Sequence, residues 1–535
     1  NAPLTKTLRP CPEESVNFDT TENLFIEGDN LEALKLLQET YLERIKLIYI
    51  DPPYNTGKDF IYSDKFALKE SEFLVKSEQK DDVGNHLVSN PESNGRFHSD
   101  WLTMMYPRIK LAHRLLSPEG ILFVSIDDNE IENLKHICTE IFGDSNQISP
   151  FIWSLPRGIN AGHISRAHEY IVGFAKSKSA LPLFNKIGEA EYSIERCNKK
   201  VDRRHPASPI TFPAGIKYEG DDRTLSGMIE GSESIEIEGE MKFVDGKLAA
   251  PVTLKAGWTM KNMIQDWLSG KKVFDTKGQE IVEFFFKANG KLYSKKKVSF
   301  ESPKSLLTDV KDSQFARQEI EELLGDQDIF PYPKPTTIPE RLIELATNDK
   351  DIIMDFFAGS GTTAHAVSKV NSKLNTNRKF ITVQIPEKID PKNVDNQAAI
   401  NFCQDIGIPP LISEISKERL RRTINSQGFR VLKIDSSNME DVFYRPEEVV
   451  QLEMYTQVEN IKKDRTDEDL LFQVLLDWGV GLTLPISKQQ IASKNVFFVN
   501  ADEEGEGADL IACFSTNISN CLLYTSPSPR DRQKS

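Results

Sequence analysis

Two short stretches of the chain carry residue types and spacings that can do chemistry. The first is Asp51-Pro52-Pro53-Tyr54, which sets a carboxylate, two φ-locked rings and a phenol in consecutive positions. Neither proline has an N–H to donate, so the loop presents acceptors, the Asp51 carboxylate and the Pro52 carbonyl. Such a pair suits an exocyclic amine on a heterocycle. The lone pair of that nitrogen is delocalised into its ring, and acceptors that hold both N–H bonds favour a tetrahedral, nucleophilic nitrogen. Tyr54 offers a face on which the ring can stack. Stacking and hydrogen bonds offset the few kcal/mol needed to take a base out of a duplex.

The second stretch is Asp355-Phe356-Phe357-Ala358-Gly359-Ser360-Gly361-Thr362-Thr363. Gly359 and Gly361 let the backbone take positive φ and approach a ligand closely, as in a turn that holds a nucleoside cofactor. With Ala364 last, the run also satisfies the loose dinucleotide pattern. A nicotinamide enzyme would carry an acid about 20 residues on to hold the ribose. Here the next apolar run, Lys379 to Val383, ends at Gln384 with Glu387 just beyond, and no hydride-transfer set accompanies it. Alone, the Asp-Pro-Pro-Tyr run reads equally well as a strand ending in a tight turn with a packed tyrosine. Its continuation Asn55-Thr56-Gly57, together with the glycine turn, weighs against that reading.

These loops need strands behind them. Arg44 to Ile50 and Asp351 to Asp355 are apolar, β-branched runs of buried-strand type, and each delivers its motif at a carboxyl edge, where open α/β sheets bind ligands. Ile121 to Ile126 reads as a third such strand, ending at Asp127-Asp128. Leu31, Leu34 and Leu37 at helical spacing, and Tyr106 to Leu116, read as helices between them. The predicted fold class is therefore α/β, a doubly wound Rossmann-like domain with a β-rich insert and a C-terminal α-containing region. Its expected segments are a lead-in (1–20), a half carrying the Asp-Pro-Pro-Tyr loop (21–194), a β-rich insert (195–325), a half carrying the glycine turn (326–434) and a C-terminal region (435–519). Residues 64–97 are polar and read as an exposed loop or flap. Leu470 to Trp478 reads as a helix too apolar to stand uncovered. Trp153 and Tyr170 suit either the border of a base pocket or core packing. Glu418-Arg419-Leu420-Arg421-Arg422 suits a phosphate contact or a solvated helix face.

With both motifs in hand, the chain resembles a β-class DNA adenine-N6 methyltransferase, and more closely the modification (Mod) subunit of Type III restriction–modification systems. The matching stretches are Asn23 to Leu31, Leu47 to Gly57, Arg96 to Arg108, Ser125 to Glu130, Tyr332 to Pro335, Arg341 to Thr347 and Asp355 to Ala366. The resemblance implies a catalytic set of Asp51, Pro52, Pro53 and Tyr54, with aspartate at its head favouring adenine N6 over cytosine N4. It implies S-adenosylmethionine as cofactor, held by Asp355, Phe357, Gly359, Gly361 and Thr362. Asp29 would lie beside the cofactor adenine and Lys334 near its methionine end. Many relatives carry glutamate where Gln384 stands, so Gln384 or Glu387 is expected to serve the ribose. The implied partners are double-stranded DNA, a second copy of the chain as a homodimer, and a helicase–nuclease (Res) subunit. The alternatives are a solitary methyltransferase without a nuclease, or a recognition subunit that has lost catalysis.

The 535 residues carry a net charge of −15, which sits awkwardly with DNA binding, but the charge is uneven. Residues 251–300 hold ten lysines against four acids, while 219–250 hold three basic residues against nine acids. Lys271, Lys272, Lys295, Lys296 and Lys297 are interleaved with Trp258, Trp267, Phe284, Phe285, Phe286 and Tyr293, a composition that fits a DNA-contacting face as well as an ordinary β-rich core. The six cysteines lack metal-site spacing, so no metal is expected, and they fit a reducing cytoplasm. No apolar run approaches a membrane span and no signal peptide is visible. The chain does not begin with Met, and residues 520–535 resemble a translated sequencing adapter, so both ends are expected to be artificial.

Overall fold

The computed structural model describes residues 6–56, 60–62, 87–89, 97–161, 163–187, 191–231, 233–300, 302–330, 332–424, 427–440, 461–491, 493–501 and 507–515. Gly57, most of the 64–97 stretch and all of 520–535 lie outside them. The chain forms two compact units, Leu183–Pro303 and the remainder on either side of it.

The larger unit is built on a ten-stranded sheet. In chain order its strands are β1 (Lys6–Pro10), β2 (Leu24–Glu27), β3 (Ile45–Ile50), β4 (Leu116–Ile126), β5 (Gln147–Ala161), β6 (Ile164–Ala175), β7 (Leu306–Leu307), β8 (Ile352–Asp355), β9 (Lys379–Gln384) and β10 (Arg430–Ser436). Their spatial order is β1-β10-β2-β9-β8-β3-β4-β6-β5-β7. The six central strands, β10 to β4, are parallel, while β1, β6 and β5 pair antiparallel with their inner neighbours. A parallel sheet must be covered on both faces, which is why its strands are apolar throughout. All six residues of β3 are buried. Ile48 and Ile50 join the main core with Trp101, Met104 and Met105 of the helix Phe97–Leu115. The helices Thr337–Ala346 and Thr362–Leu374 pack against each other and against β3, β8 and β9.

The apolar run at 470–478 forms the helix Asp467–Asp477, opened by a Thr466/Asp469 capping box. Leu471, Phe472, Leu475 and Leu476 enter the main core, and Trp478 remains 71% exposed. The C-terminal region also contains an antiparallel sheet of Ile486–Ile491, Lys494–Val499 and Leu510–Ala512.

The smaller unit runs from Leu183 to Pro303 rather than from 195 to 325. The helix Ser313–Leu324 belongs to the larger unit, where Ile320 and Leu324 pack with Phe402 and Ile415. Within the smaller unit, a six-stranded and a five-stranded sheet share one core that includes Phe212, Phe243, Phe284, Phe286 and Trp258. Among the described residues no helix is long and apolar enough to cross a membrane.

Candidate active site

β3 and β8 are hydrogen-bonded neighbours, with Leu47 opposite Ile353 and Ile48 opposite Met354. The pairing sets Asp51, one residue past β3, beside Phe356–Gly361, just past β8. Strands in a sheet lie about 4.8 Å apart. Roughly 300 residues of chain separation are thereby closed to side-chain distance.

The Asp51–Tyr54 loop is held from behind. Trp101, fully buried, donates its indole N–H to the Pro53 carbonyl at 2.8 Å. Asn55 turns the chain with φ +59°, and its side-chain amide donates to Glu130 Oε1 at 2.6 Å. These anchors hold the loop on one side, and Lys334 and Glu169 pack on the other. Asp51 Oδ1 is buried and accepts no hydrogen bond. Burial pushes the Asp51 carboxyl up, and the nearby Glu169 carboxylate adds to this while Lys334 opposes it.

Lys334 enters from the segment before the helix Thr337–Ala346. Its ammonium donates to Tyr54 Oη and to Glu169 Oε2, both at 2.7 Å, and lies 3.6 Å from Asp51 Oδ1. Tyr54 donates in turn to Glu169 at 3.0 Å. Burial alone lowers an ammonium pKa, but the Asp51 and Glu169 carboxylates outweigh it and leave Lys334 raised. Lys334 thus turns its side chain to the catalytic loop. Its carbonyl faces the glycine turn, 3.4 Å from Thr362 Oγ1.

The glycine turn is braced on several sides. Gly359 and Gly361 take φ +53° and +79°, and Gly361 caps the helix Thr362–Leu374. Asp355 is buried, accepts from the Phe357 N–H at 3.0 Å and from the Thr363 hydroxyl, and burial pushes its carboxyl up to about 7. Phe357 is 8% exposed and packs into the main core. Asp29 caps the helix Asn30–Leu36 by accepting from Leu31 and Glu32 N–H. Its neighbour Asn30 donates to the Phe356 carbonyl at 2.7 Å, which ties the two turns together.

Gln384 is already engaged, because its Oε1 accepts from the Gly359 N–H at 2.7 Å. In this structure it shapes the turn, with one lone pair of its carbonyl left over. Glu387 is half-buried, and burial is the sole cause raising its carboxyl. Both remain candidates for the ribose.

A family profile described as DNA methylase matches residues 45–392, a span that contains both loops. The EcoP15I Mod subunit of Escherichia coli, a Type III restriction–modification enzyme, is 31% identical over 506 residues, covering 89% of this chain and 74% of its own. The chain belongs to the DNA methylase family and, within it, to the Type III Mod subunits. The EcoPI Mod subunit of Escherichia phage P1 is 30% identical over 523 residues, covering 91% and 76%. The Type II methyltransferase M.KpnI of Klebsiella pneumoniae is 28% identical over 416 residues, covering 74% and 88%.

In this Mod-family chain, three residues have supporting roles that the sequence does not announce, although Glu169 lies in the His168–Val172 stretch that resembles the last catalytic-half motif and Arg419 in the basic run 418–422. Arg108 is wholly buried and donates to Asn30 Oδ1 at 2.6 Å and to Asp29 Oδ2 at 3.4 Å. Glu169 anchors Lys334. Arg419 is buried against the glycine turn, donating to Ser360 Oγ at 2.7 Å and Thr362 Oγ1 at 3.1 Å. It is therefore neither a phosphate contact nor part of a solvated face. Arg108 had a readable signal, a charge lying on the apolar stripe of Trp101, Met104, Met105, Ile109 and Ala112.

The lysines proposed for DNA separate by strand face. In Leu292–Lys297, Lys296 points inward and is buried against Glu195 at 2.6 Å and Asp275 at 3.3 Å, so it is withdrawn as a DNA contact. Trp258, Phe284 and Phe286 are core residues and are withdrawn likewise. Lys295 and Lys297 share the opposite face. The cross-strand register puts Tyr293 beside Arg196 and Phe285, Lys295 beside Ile194 and Glu283, and Lys297 beside Tyr192. Lys217 and Lys287 join this face, with their ammonium groups 5.3 Å and 4.7 Å from the ring centres of Phe285 and Tyr293. Lys271 is exposed and paired with Asp266 at 2.8 Å, and Lys272 is exposed.

Proposed function

We propose that this chain transfers a methyl group from S-adenosylmethionine to the N6 amine of adenine in double-stranded DNA, as the recognition and modification subunit of a Type III system. One observation carries the reading. An Asp-Pro-Pro-Tyr loop with an unused buried acceptor follows a strand directly paired to the strand that delivers a doubly glycine-bent turn.

S-adenosylmethionine, when bound, supplies a methyl group on a sulfonium. The residues fit such a group. Gly359 and Gly361 clear side chains from the turn, Phe357 and Asp29 flank it, and among the described residues no cation pairs with the Glu387 carboxyl. Asp51 and the Pro52 carbonyl hold the two amine hydrogens, and Tyr54 stacks on the extruded base. Direct in-line attack needs no covalent bond to the protein. The fixed acceptors contribute by lowering the cost of rehybridising nitrogen, a preorganised electrostatic effect. The positively charged amine product then loses a proton to Asp51.

In the smaller unit, Lys217, Lys287, Lys295, Lys297 and Arg196 on one sheet face are assigned the phosphate contacts, with Lys217 also paired to Glu219 and Glu283 and Arg196 to Glu233. Assembly with a helicase–nuclease subunit is part of the proposal and is supported by the naming of the relatives as Mod subunits of restriction–modification enzymes, and assembly as a homodimer is proposed with it. The test is nucleoside mass spectrometry and single-molecule sequencing of DNA treated with the chain and S-adenosylmethionine. N6-methyladenine at one recurring sequence is the expected result. N4-methylcytosine, or no modified base, overturns the reading.

A further inference from the structure

The region where an adenine amine has to sit already holds an amine. Lys334 Nζ lies 4.7 Å from the centre of the Tyr54 ring and 5.3 Å from that of Trp153, between the carboxylates of Asp51 and Glu169. A nitrogen beside the Tyr54 ring and within reach of Asp51 is what the proposed reaction requires of its substrate. The two carboxylates hold Lys334 unequally. At 2.7 Å the Glu169 contact is a charge-assisted hydrogen bond, whereas 3.6 Å from Asp51 Oδ1 is too long for one. Asp51 Oδ1 therefore remains buried and unbonded while a cation stands next to it.

We propose that Lys334 is a stand-in for the target amine, filling the base pocket of the DNA-free protein until an extruded adenine displaces it onto Glu169. This rests on the amino-methyltransferase reading above. Because Glu169 and Tyr54 already hold the shorter contacts at 2.7 Å, Lys334 has only to give up its longest contact, 3.6 Å from Asp51 Oδ1, to admit the base. The exchange conserves charge, since the ammonium stays near both carboxylates. An adenine that cannot offer hydrogens to Asp51 gains nothing by displacing it, so the lysine also biases the pocket against poorly seated bases. Lys334 is thus a positioning residue, with Glu169 as its anchor. The groups facing Asp51 are Lys334 and Tyr54 with Glu169 behind them, while Tyr49 and Asp355 lie within electrostatic range of Asp51, and Asp127 within range of Glu169.

The test compares wild type, Lys334→Met, Lys334→Arg and Glu169→Gln on a duplex carrying 2-aminopurine beside the adenine that wild type methylates, which itself keeps its 6-amino group and remains the methyl acceptor. Fluorescence reports extrusion, and pH profiles of kcat and KM report the state of Asp51. Lys334→Met should extrude the base more readily, while the acid limb of kcat moves up by about one pH unit or more, because a neighbouring cation no longer favours ionised Asp51. Glu169→Gln should raise KM more than kcat falls and move the acid limb down, since the freed lysine pairs fully with Asp51. Lys334→Arg keeps the charge, so its acid limb should stay at the wild-type position. Should Lys334→Met fail to bind donor by calorimetry, Glu169→Gln decides alone. Superimposed pH profiles, or weaker extrusion in Lys334→Met, would overturn the stand-in role. If wild type itself transfers no methyl group, the proposed function fails first.

Discussion

Replacing Arg108 by methionine tests whether the two turns of the site are tied together as the structure indicates. Methionine fills much of the same volume but donates nothing. Asn30 Oδ1, on a residue only 2% exposed, loses its partner at 2.6 Å, and an unsatisfied buried acceptor costs about 1–3 kcal/mol. The Asp29 carboxylate is 24% exposed and can turn to water, so its lost pairing adds at most about 1 kcal/mol. The sum is a loss of about 1–4 kcal/mol in the stability of the larger unit, measurable by urea denaturation. Arg114→Met, an exposed site on the same helix, is the control and should stay within about 0.5 kcal/mol of wild type. Asn30 also holds the Phe356 carbonyl, so donor affinity should weaken about tenfold, or about 1.4 kcal/mol, by calorimetry. If Arg108→Met matched the Arg114→Met control in both measurements, the coupling of the turns through Arg108 would be refuted.

Other perturbations separate the remaining roles. Asp51→Asn should lower kcat about a hundred- to a thousandfold while donor affinity by calorimetry stays near wild type; near-normal turnover would remove the carboxylate from the chemistry. Asp355 has its folded-state pKa raised from 3.8 to about 7, so between these values the folded state binds more protons than the unfolded one. Stability must then fall as pH rises through that window, by roughly 4 kcal/mol in the limit, and Asp355→Asn should flatten the pH–stability curve from 4 to 7. Lys295→Gln combined with Lys297→Gln should reduce the salt slope of DNA binding by about two. Lys296→Gln should leave that slope unchanged and destabilise the smaller unit instead.

The parts of the site that sequence exposes are those set by local chemistry. Buried parallel strands are apolar along their length, so β3 and β8 were readable, and positive-φ turns demand glycine, so Gly359 and Gly361 were too. What was hidden depends on partners distant in the chain. Nothing near Gln384 announces that its amide braces Gly359, and nothing near Lys334 announces Glu169. Arg419 reads as a surface basic residue until the helix Ile412–Thr423 is docked on the glycine turn. Lys296 is hidden for a different reason. In a strand alternate side chains face opposite ways, so the run Lys295-Lys296-Lys297, one charge patch in sequence, turns its middle lysine inward. The insert boundary shifted because the helix Ser313–Leu324, amphipathic in sequence, carries no mark of which core it joins.

The central claim is spatial, and a crystal structure with a non-reactive donor analogue and a target duplex tests it most directly. The account requires the sulfonium position above the Gly359–Gly361 turn, with the base stacked on Tyr54 and its amine about 3–3.5 Å from the methyl-bearing carbon. It also requires Asp51 Oδ1 and the Pro52 carbonyl on the two amine hydrogens. A donor bound away from that turn, or a base whose amine points away from Asp51, would contradict it.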